Sequence, residues 1–367
     1  MLRSKVTDRP MKILLVGGGA GISIKDVENG YYEALKRAGA DVKYHLLDYR
    51  INNSYRYLNW VWEDLYKKDP KTQPSWNDAI YLASQSALEM ALRNDVDWVI
   101  VVSAMYFHPD MIILMHRAGL HIAVLLTESP YMDTEQKVVV GLDVDGAWTN
   151  ELASVPVLKE ANPNIQYIRH AYDPYKHVPA GHLDGEGKGD EVPAHDVVFV
   201  GTGFEERIEI LEAVNWEGID LGLYGEWELL DDESPLQEHI RYDYISNTTT
   251  AKLYQKAKIG LNLYRDSTTY GLGIEHIAPS SALSMNPRAY ELAACGIPTV
   301  ANWRQEQQDT LGDSVLTFKE PAQLEYHIRE MLRRPDMGKY MAEKAFDKIQ
   351  GHTFDQRVKQ IFDTLEG

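Results

Sequence analysis

Met11 to Gly21 reads MKILLVGGGAG, and Asp196 to Gly203 reads DVVFVGTG. Each is a short aliphatic run that ends directly in glycines. A strand buried in a parallel sheet reads as an almost unbroken apolar run, and glycines at its carboxyl end permit a tight turn into a helix. One such start near the beginning of the chain and a second past its middle predict two α/β domains. The length of 367 residues agrees, being too great for one ordinary core.

From each start, strand-like runs alternate with helix-period segments, the pattern of parallel sheets with crossover helices. The first half predicts strands at Met11–Val16, Asp41–Leu47, Trp98–Ser103, His121–Leu126 and Gly146–Thr149. Helices are predicted at Val27–Ala38, Trp76–Asn94 and Pro109–Ala118, with a short one running to Glu160. Arg50 to Pro74, rich in Tyr and Trp, does not fit the alternation and reads as an insertion. The second half predicts strands at Asp196–Val200, Asp220–Tyr224, Ile259–Leu263, Pro298–Asn302 and Val315–Phe318. Its helices are Arg207–Val214, Thr249–Lys256, Pro287–Ala294, Ala322–Arg333, Met337–Ile349 and Phe354–Leu365. Between the halves, His182 to Asp190, HLDGEGKGD, is the most glycine-rich and charged stretch and reads as a loop or linker. The expected division is therefore 1–178, a linker at 179–195, 196–350, and a last helix at 351–367 that packs back on the first domain. The fold class is α/β, two Rossmann-like doubly wound domains facing a central cleft, and ligands of such sheets bind outside the carboxyl ends of the strands.

Composition excludes several classes. The net charge of −18 opposes wholesale binding to a phosphate backbone. Cys295 is the single cysteine, so there is neither a disulfide framework nor a thiolate metal cluster. The longest apolar runs, Trp98–Val102 and Ile122–Leu126, are too short to span a bilayer, and Met1–Pro10 is polar where a signal peptide is apolar. A cytoplasmic protein is expected.

The glycine stretches are the first candidates for chemistry. Gly17, Gly18 and Gly19 follow the first strand, where backbone can approach an anion at a helix start. Ile22 and Ile24 occupy the last place of the dinucleotide fingerprint, and the expected acid about 20 residues on is absent. A nicotinamide enzyme is therefore disfavoured, and a plain strand-to-helix turn accounts for these glycines equally well. Gly201 and Thr202 repeat the pattern, with Arg207 placed to reach a diphosphate or simply to cap its helix.

The richest stretch is Ser284 to Val300, SMNPRAYELAACGIPTV. Pro287 suits a first helical turn, and Gly296 with Pro298 ends the helix and starts the next strand. Arg288 and Glu291 lie three apart on one face near the helix start. A cation there opposes the helix dipole, which suggests an anion alongside. By spacing alone, an ordinary ion pair on an exposed helix explains them slightly better.

This stretch resembles the donor-site helix of GT-B glycosyltransferases, in the form seen in spore-maturation-protein-type, group 1-like members, which are common in bacteriophage genomes. Gly351 to Arg357, GHTFDQR, resembles the closing signature of the same group. The likeness covers the C-terminal half well and the N-terminal half weakly. It implies that the C-terminal domain holds a nucleotide-diphospho-sugar, UDP-sugar slightly favoured, with no other cofactor. Glu291 would hold the ribose, with Arg288, Arg207 and the Gly201–Thr202 loop at the phosphates and Asn286 also in the binding set. Leu283 stands where many retaining members carry a second acid, so neither a retaining mechanism nor that acid's role carries over.

Remaining sites are expectations of position. A catalytic base should sit at the carboxyl end of a strand of the first domain, where His108, Glu128 and Asp133 are candidates. Tyr264 to Pro279 leads into the donor helix, and its Tyr270 and His276 are candidates to cover the transferred sugar. Asp143-Val144-Asp145 matches a metal-diphosphate motif of another fold but reads as structural, so the expected chemistry is metal-free. The acceptor is open between protein, glycan, small molecule and, less favoured, modified DNA. Two other functions stay in view: a two-domain protein that binds its ligand without turnover, and a nucleotide-sugar epimerase or hydrolase.

Overall fold

The structure is a computed structural model that describes residues 2, 9–18, 25–181, 192–242, 245–265 and 282–366, with backbone alone at Thr134, Glu135, Tyr242 and Glu366. The chain divides into two compact units, one of residues 1–169, 274–277 and 354–367, the other of 170–273 and 278–353.

The first unit carries β1 (Lys12–Val16), α1 (Lys25–Arg37), β2 (Asp41–His45), α2 (Leu47–Asp64), α3 (Trp76–Asn94) and β3 (Trp98–Val102). It continues with α4 (Pro109–Arg117), β4 (His121–Leu126), α5 (Asp133–Val140), β5 (Gly146–Thr149), α6 (Val155–Leu158) and β6 (Gln166–Tyr167). The strands form one sheet in the order β2-β1-β3-β4-β5-β6, with every neighbouring pair parallel. Ile13 to Val16, Val99 to Val102 and Ile122 to Leu126 are buried along their whole length, as helices on both faces require. The aromatic stretch expected to be an insertion is mostly the helix α2, which packs against α3. Its inner face runs through Leu47, Ile51, Tyr55 and Leu58, but the exposed Tyr49, Tyr57 and Trp60 place large apolar residues off that face and hide the stripe in the sequence.

The last helix, α13 (Phe354–Glu366), is part of this unit. Phe354 packs edge-on against Tyr31, and a Cβ at Gly30 would collide with its ring. Arg37 holds Asp355 through two hydrogen bonds of 2.7 and 2.8 Å, and Arg357 Nε donates to the Arg169 carbonyl. The signature around Phe354 and Arg357 is therefore a fastening between the first and last helices of the unit.

The second unit carries β7 (Val197–Val200), α7 (Glu205–Glu212), β8 (Leu221–Tyr224), β9 (Ile240–Tyr242), α8 (Asn247–Lys256) and β10 (Ile259–Asn262). Then come α9 (Pro287–Ala294), β11 (Thr299–Asn302), α10 (Gln305–Thr310), β12 (Leu316–Phe318), α11 (Pro321–Arg333) and α12 (Pro335–Ile349). The sheet order is β12-β11-β10-β7-β8-β9, again parallel throughout. The chain runs outward from β7 to β9 and then crosses back to β10 on the other side of β7. The strand order thus reverses between β7 and β10, and there the loops leaving their carboxyl ends part from each other. In the first sheet the reversal lies between β1 and β3. Sequence patterning misses β6, β9, α5 and α10, of which β6 and β9, two and three residues long, are too short to show a period. Among the described residues, no helix is long and apolar enough to cross a membrane.

Candidate active site

The reversal point of the second sheet is built around Arg288. Asn286 caps α9, its Oδ1 accepting from the Ala289 N–H, while its Nδ2 donates to Asn262 Oδ1 at 2.9 Å. The buried Glu306 carboxylate fixes the same helix from behind, accepting from Met285 N–H at 2.6 Å and from the Tyr290 hydroxyl at 2.9 Å. Arg288 then reaches across both strand ends. Its Nε donates to the Val200 carbonyl at 2.7 Å, and its Nη1 to the Leu263 carbonyl and Asn262 Oδ1 at 3.3 Å each. Carbonyls do not neutralise a guanidinium, so these bonds fix its position and leave its charge at the end of the sheet.

The glycines of this loop make room rather than offer a cradle of N–H groups. Gly201 N–H is given to the Tyr224 carbonyl at 2.8 Å and Gly203 N–H to the Glu226 carbonyl at 2.7 Å. A Cβ at Gly201 would collide with Arg288 Nη2, and one at Gly203 with the Trp227 ring. Thr202 lends its carbonyl to Arg207 Nη1 at 2.8 Å. Arg207 lies 4.8 Å from the centre of the Phe204 ring, Arg265 4.7 Å from the same ring, and Arg288 4.6 Å from that of Phe199. Three guanidinium groups therefore gather on two rings at one end of the sheet, in a chain whose net charge is −18. Such a cluster suits a diphosphate, which takes planar donors in pairs.

One turn further along α9 stands Glu291, whose side chain is 12% exposed. Among the described residues its carboxylate accepts no hydrogen bond. The nearest cation-capable atom is His177 Nε2 at 3.9 Å. Arg288 and Glu291 are thus not the i,i+3 ion pair that spacing alone allowed, since the guanidinium turns to the strand ends. A mostly buried carboxylate without donors is costly unless something supplies them. Sequence patterning missed His177, which approaches Glu291, and Asn247, which holds His177 at 2.8 Å; neither belongs to a motif with a recognisable spacing.

The first sheet treats its glycines differently. Gly18 N–H donates to Glu28 Oε1, and the other oxygen of Glu28 accepts from the Tyr44 hydroxyl at 2.7 Å. A Cβ at Gly17 would lie 2.6 Å from Glu28 Oε2. Burial pushes the Glu28 carboxyl up from its ordinary range, against the pull of those two donors. The described end of this loop therefore carries the chain's own carboxylate, which disfavours a phosphate at Gly17 and Gly18. Gly19 lies outside the described residues, as do Tyr270 and His276.

The three candidate bases follow strands of the first sheet, His108 after β3 and Glu128 and Asp133 after β4. His108 caps α4, its Nδ1 accepting from Asp110 N–H at 3.3 Å, and its ring packs edge-on against Tyr81. Asp133, 3% exposed, accepts from the Ser154 hydroxyl. Glu128 is half-buried just past the carboxyl end of β4. Asp143 and Asp145 lie at the opposite, amino end of the sheet, where they pair with His116 and His121 at 3.0 Å each. Ser103 and Ala104 adopt left-handed backbone (φ 70° and 57°) immediately after β3, beside the reversal point, a feature without any sequence signal because neither is glycine.

Comparison with known proteins agrees with this architecture. Residues 207–363 match the family model described as glycosyl transferase-like, which spans α7 to α13 and so includes the Arg288–Glu291 helix. Among solved structures, sucrose-phosphate synthase from Thermosynechococcus elongatus superposes with a TM-score of 0.64 at 13% identity, covering 97% of this chain and 99% of that one. This chain has the GT-B fold, and part of it is similar to a glycosyl transferase-like family. The catalytic domain of starch synthase IV from Arabidopsis thaliana, bound to ADP and acarbose, gives a TM-score of 0.64 at 10% identity over 97% and 98% of the two chains. The T4 phage BGT in complex with its UDP-glucose substrate gives 0.55 at 14% identity over 97% and 99%. No curated protein sequence matches the chain. Identities this low carry the GT-B fold alone.

Proposed function

We propose that the chain transfers a sugar from a nucleotide-diphospho-sugar to an acceptor hydroxyl without needing a metal, and that the carboxyl end of the second sheet holds the donor. The observation that carries this is the pairing of Glu291 with Arg288 on one helix. Among the described residues no donor reaches the nearly buried Glu291 carboxylate, and ribose hydroxyls are donors in adjacent pairs. Arg288, with Arg207 and Arg265, supplies fixed positive charge for the diphosphate that leaves the anomeric carbon. Preorganised cations in a shielded site stabilise developing charge without reorganising. The glycosyl transferase-like family match over this unit and the UDP-glucose and ADP held by structures of the same fold support the assignment. The base that removes the acceptor's proton is proposed to be Glu128, which is half-buried just past the carboxyl end of β4, where ligands of such sheets bind.

Thermal shift with UDP, GDP, ADP and dTDP on wild type and Glu291→Ala tests the donor site. A nucleotide at about 100 times its dissociation constant should stabilise the wild type by roughly 2.7 kcal/mol, and the gain should vanish in the variant. No stabilisation by any of the four at millimolar concentration would remove the donor assignment. Glu128→Gln should keep the nucleotide shift while turnover falls by about 10²–10⁴, the usual range for a lost general base. Full turnover in that variant moves the base elsewhere.

A further inference from the structure

His177 lies outside every motif, yet it is 1% exposed and sits against the one carboxylate of α9. It belongs to the segment leading into the second unit, and its ring is fixed from both sides. Nδ1 accepts from the backbone N–H of Asp173 at 3.2 Å. That leaves the ring proton on Nε2, which donates to Asn247 Oδ1 at 2.8 Å, at the start of α8. Glu291 Oε1 is 3.9 Å from the same nitrogen, close enough for contact and too far for a hydrogen bond. The ring therefore touches the carboxylate without taking up either of its oxygens.

We propose that His177, held by Asp173 and Asn247, is a positioning residue that sets the Glu291 carboxylate for the ribose hydroxyls of the donor. The inference rests on the donor assignment above. Were the Nε2 proton turned to Glu291, one acceptor would be lost to the protein itself. Asn247 prevents that by taking the proton first. The buried ring also limits how far the Glu291 carboxylate can swing toward it. The consequence is selectivity: a site that depends on a correctly aimed carboxylate rejects a nucleotide that lacks the hydroxyl it receives, because the buried acceptor is then left unmet.

The test measures dissociation constants of UDP, GDP and ADP, each beside its 2′-deoxy counterpart, on wild type, His177→Gln, Asn247→Ala, Glu291→Ala and the double variant His177→Gln/Glu291→Ala. Wild type should prefer the ribonucleotide it binds by about tenfold, a typical value for one hydrogen bond to a charged group. His177→Gln and the partly exposed Asn247→Ala should both reduce that preference, and His177→Gln should change nothing further once Glu291 is gone. A purely structural role predicts lower melting temperatures with the preference intact. Retained ribose preference in folded His177→Gln and Asn247→Ala, with its loss in Glu291→Ala, overturns the positioning role and leaves the donor site standing. Absence of any nucleotide binding by wild type overturns both.

Discussion

The two sheets put the same device at the same place and give it opposite signs. Each begins with a strand that ends in glycine beside the point where strand order reverses. In each, a Cβ on that glycine would meet a charged side chain arriving from a helix: the Glu28 carboxylate from α1 at Gly17, the Arg288 guanidinium from α9 at Gly201. The glycine admits a charge, and the helix that supplies it decides which charge. At the first sheet the carboxylate closes the loop upon itself by accepting from Gly18 N–H and the Tyr44 hydroxyl. At the second, the guanidinium spans two strands by donating to carbonyls and leaves its positive field in place. A glycine after a strand is thus no evidence of a phosphate site by itself. The difference supports the proposal that the second unit holds the anion.

The paired substitutions Arg288→Gln and Glu28→Gln break or sharpen this contrast most strongly. Glutamine at 288 loses the charge and can satisfy only part of the set Val200 O, Leu263 O and Asn262 Oδ1. Nucleoside diphosphate affinity should fall about ten- to a hundredfold, the equivalent of ~1.4–2.8 kcal/mol, with a lower melting temperature besides. Glutamine at 28 keeps the shape and an acceptor for Gly18 N–H, so affinity should stay within about twofold of wild type, well under 1 kcal/mol. Isothermal titration of both folded variants decides it. Equal losses would mean that both loops face the nucleotide, and a loss confined to Glu28→Gln would reverse the assignment.

What the sequence told and withheld follows from the same contrast. The alternation of apolar runs located most of the strands, since residues such as Val99 to Val102 or Ile122 to Leu126 have no reason to be continuously apolar outside a doubly covered sheet. The α9 helix was legible to the residue, because Asn286, Pro287 and Gly296 are local signals with local causes. The surroundings of Glu291 were not. Its isolation depends on Arg288 turning toward β7 and β10, and on His177 and Asn247 arriving from segments distant in sequence. Nor could the glycine runs disclose their occupants, for Glu28 sits ten residues beyond Gly18 and Arg288 lies far from Gly201 along the chain. Arg50 to Pro74 looked irregular because α2 carries exposed aromatics such as Tyr57 and Trp60 beside its inner face of Ile51, Tyr55 and Leu58, and the two together blur the helical period.

The smaller effect separates the two edges by their response to acid. His45 ends β2 in the first sheet, fully buried, and desolvation lowers its pKa to about 3. Its Nε2 must donate to Ser86 Oγ at 2.8 Å, because that hydroxyl's own proton goes to the Ala83 carbonyl. The folded protein therefore keeps this ring uncharged while the unfolded chain protonates it below about pH 6.5. From there down toward the folded value, the unfolded state binds more protons, and stability falls with pH by up to about 1.4 kcal/mol per unit from this group. Glu28 acts in the opposite sense: burial raises its carboxyl, so the folded state takes that proton first and is favoured as pH falls. Comparing wild type with His45→Gln cancels the Glu28 contribution. The stability advantage of wild type over the variant, from urea unfolding at about pH 7, 5.5 and 4.5, should shrink steadily toward acid. Parallel profiles would mean that His45 titrates as readily in the fold as out of it, and that the carboxyl edge of the first sheet is as open to charge as that of the second.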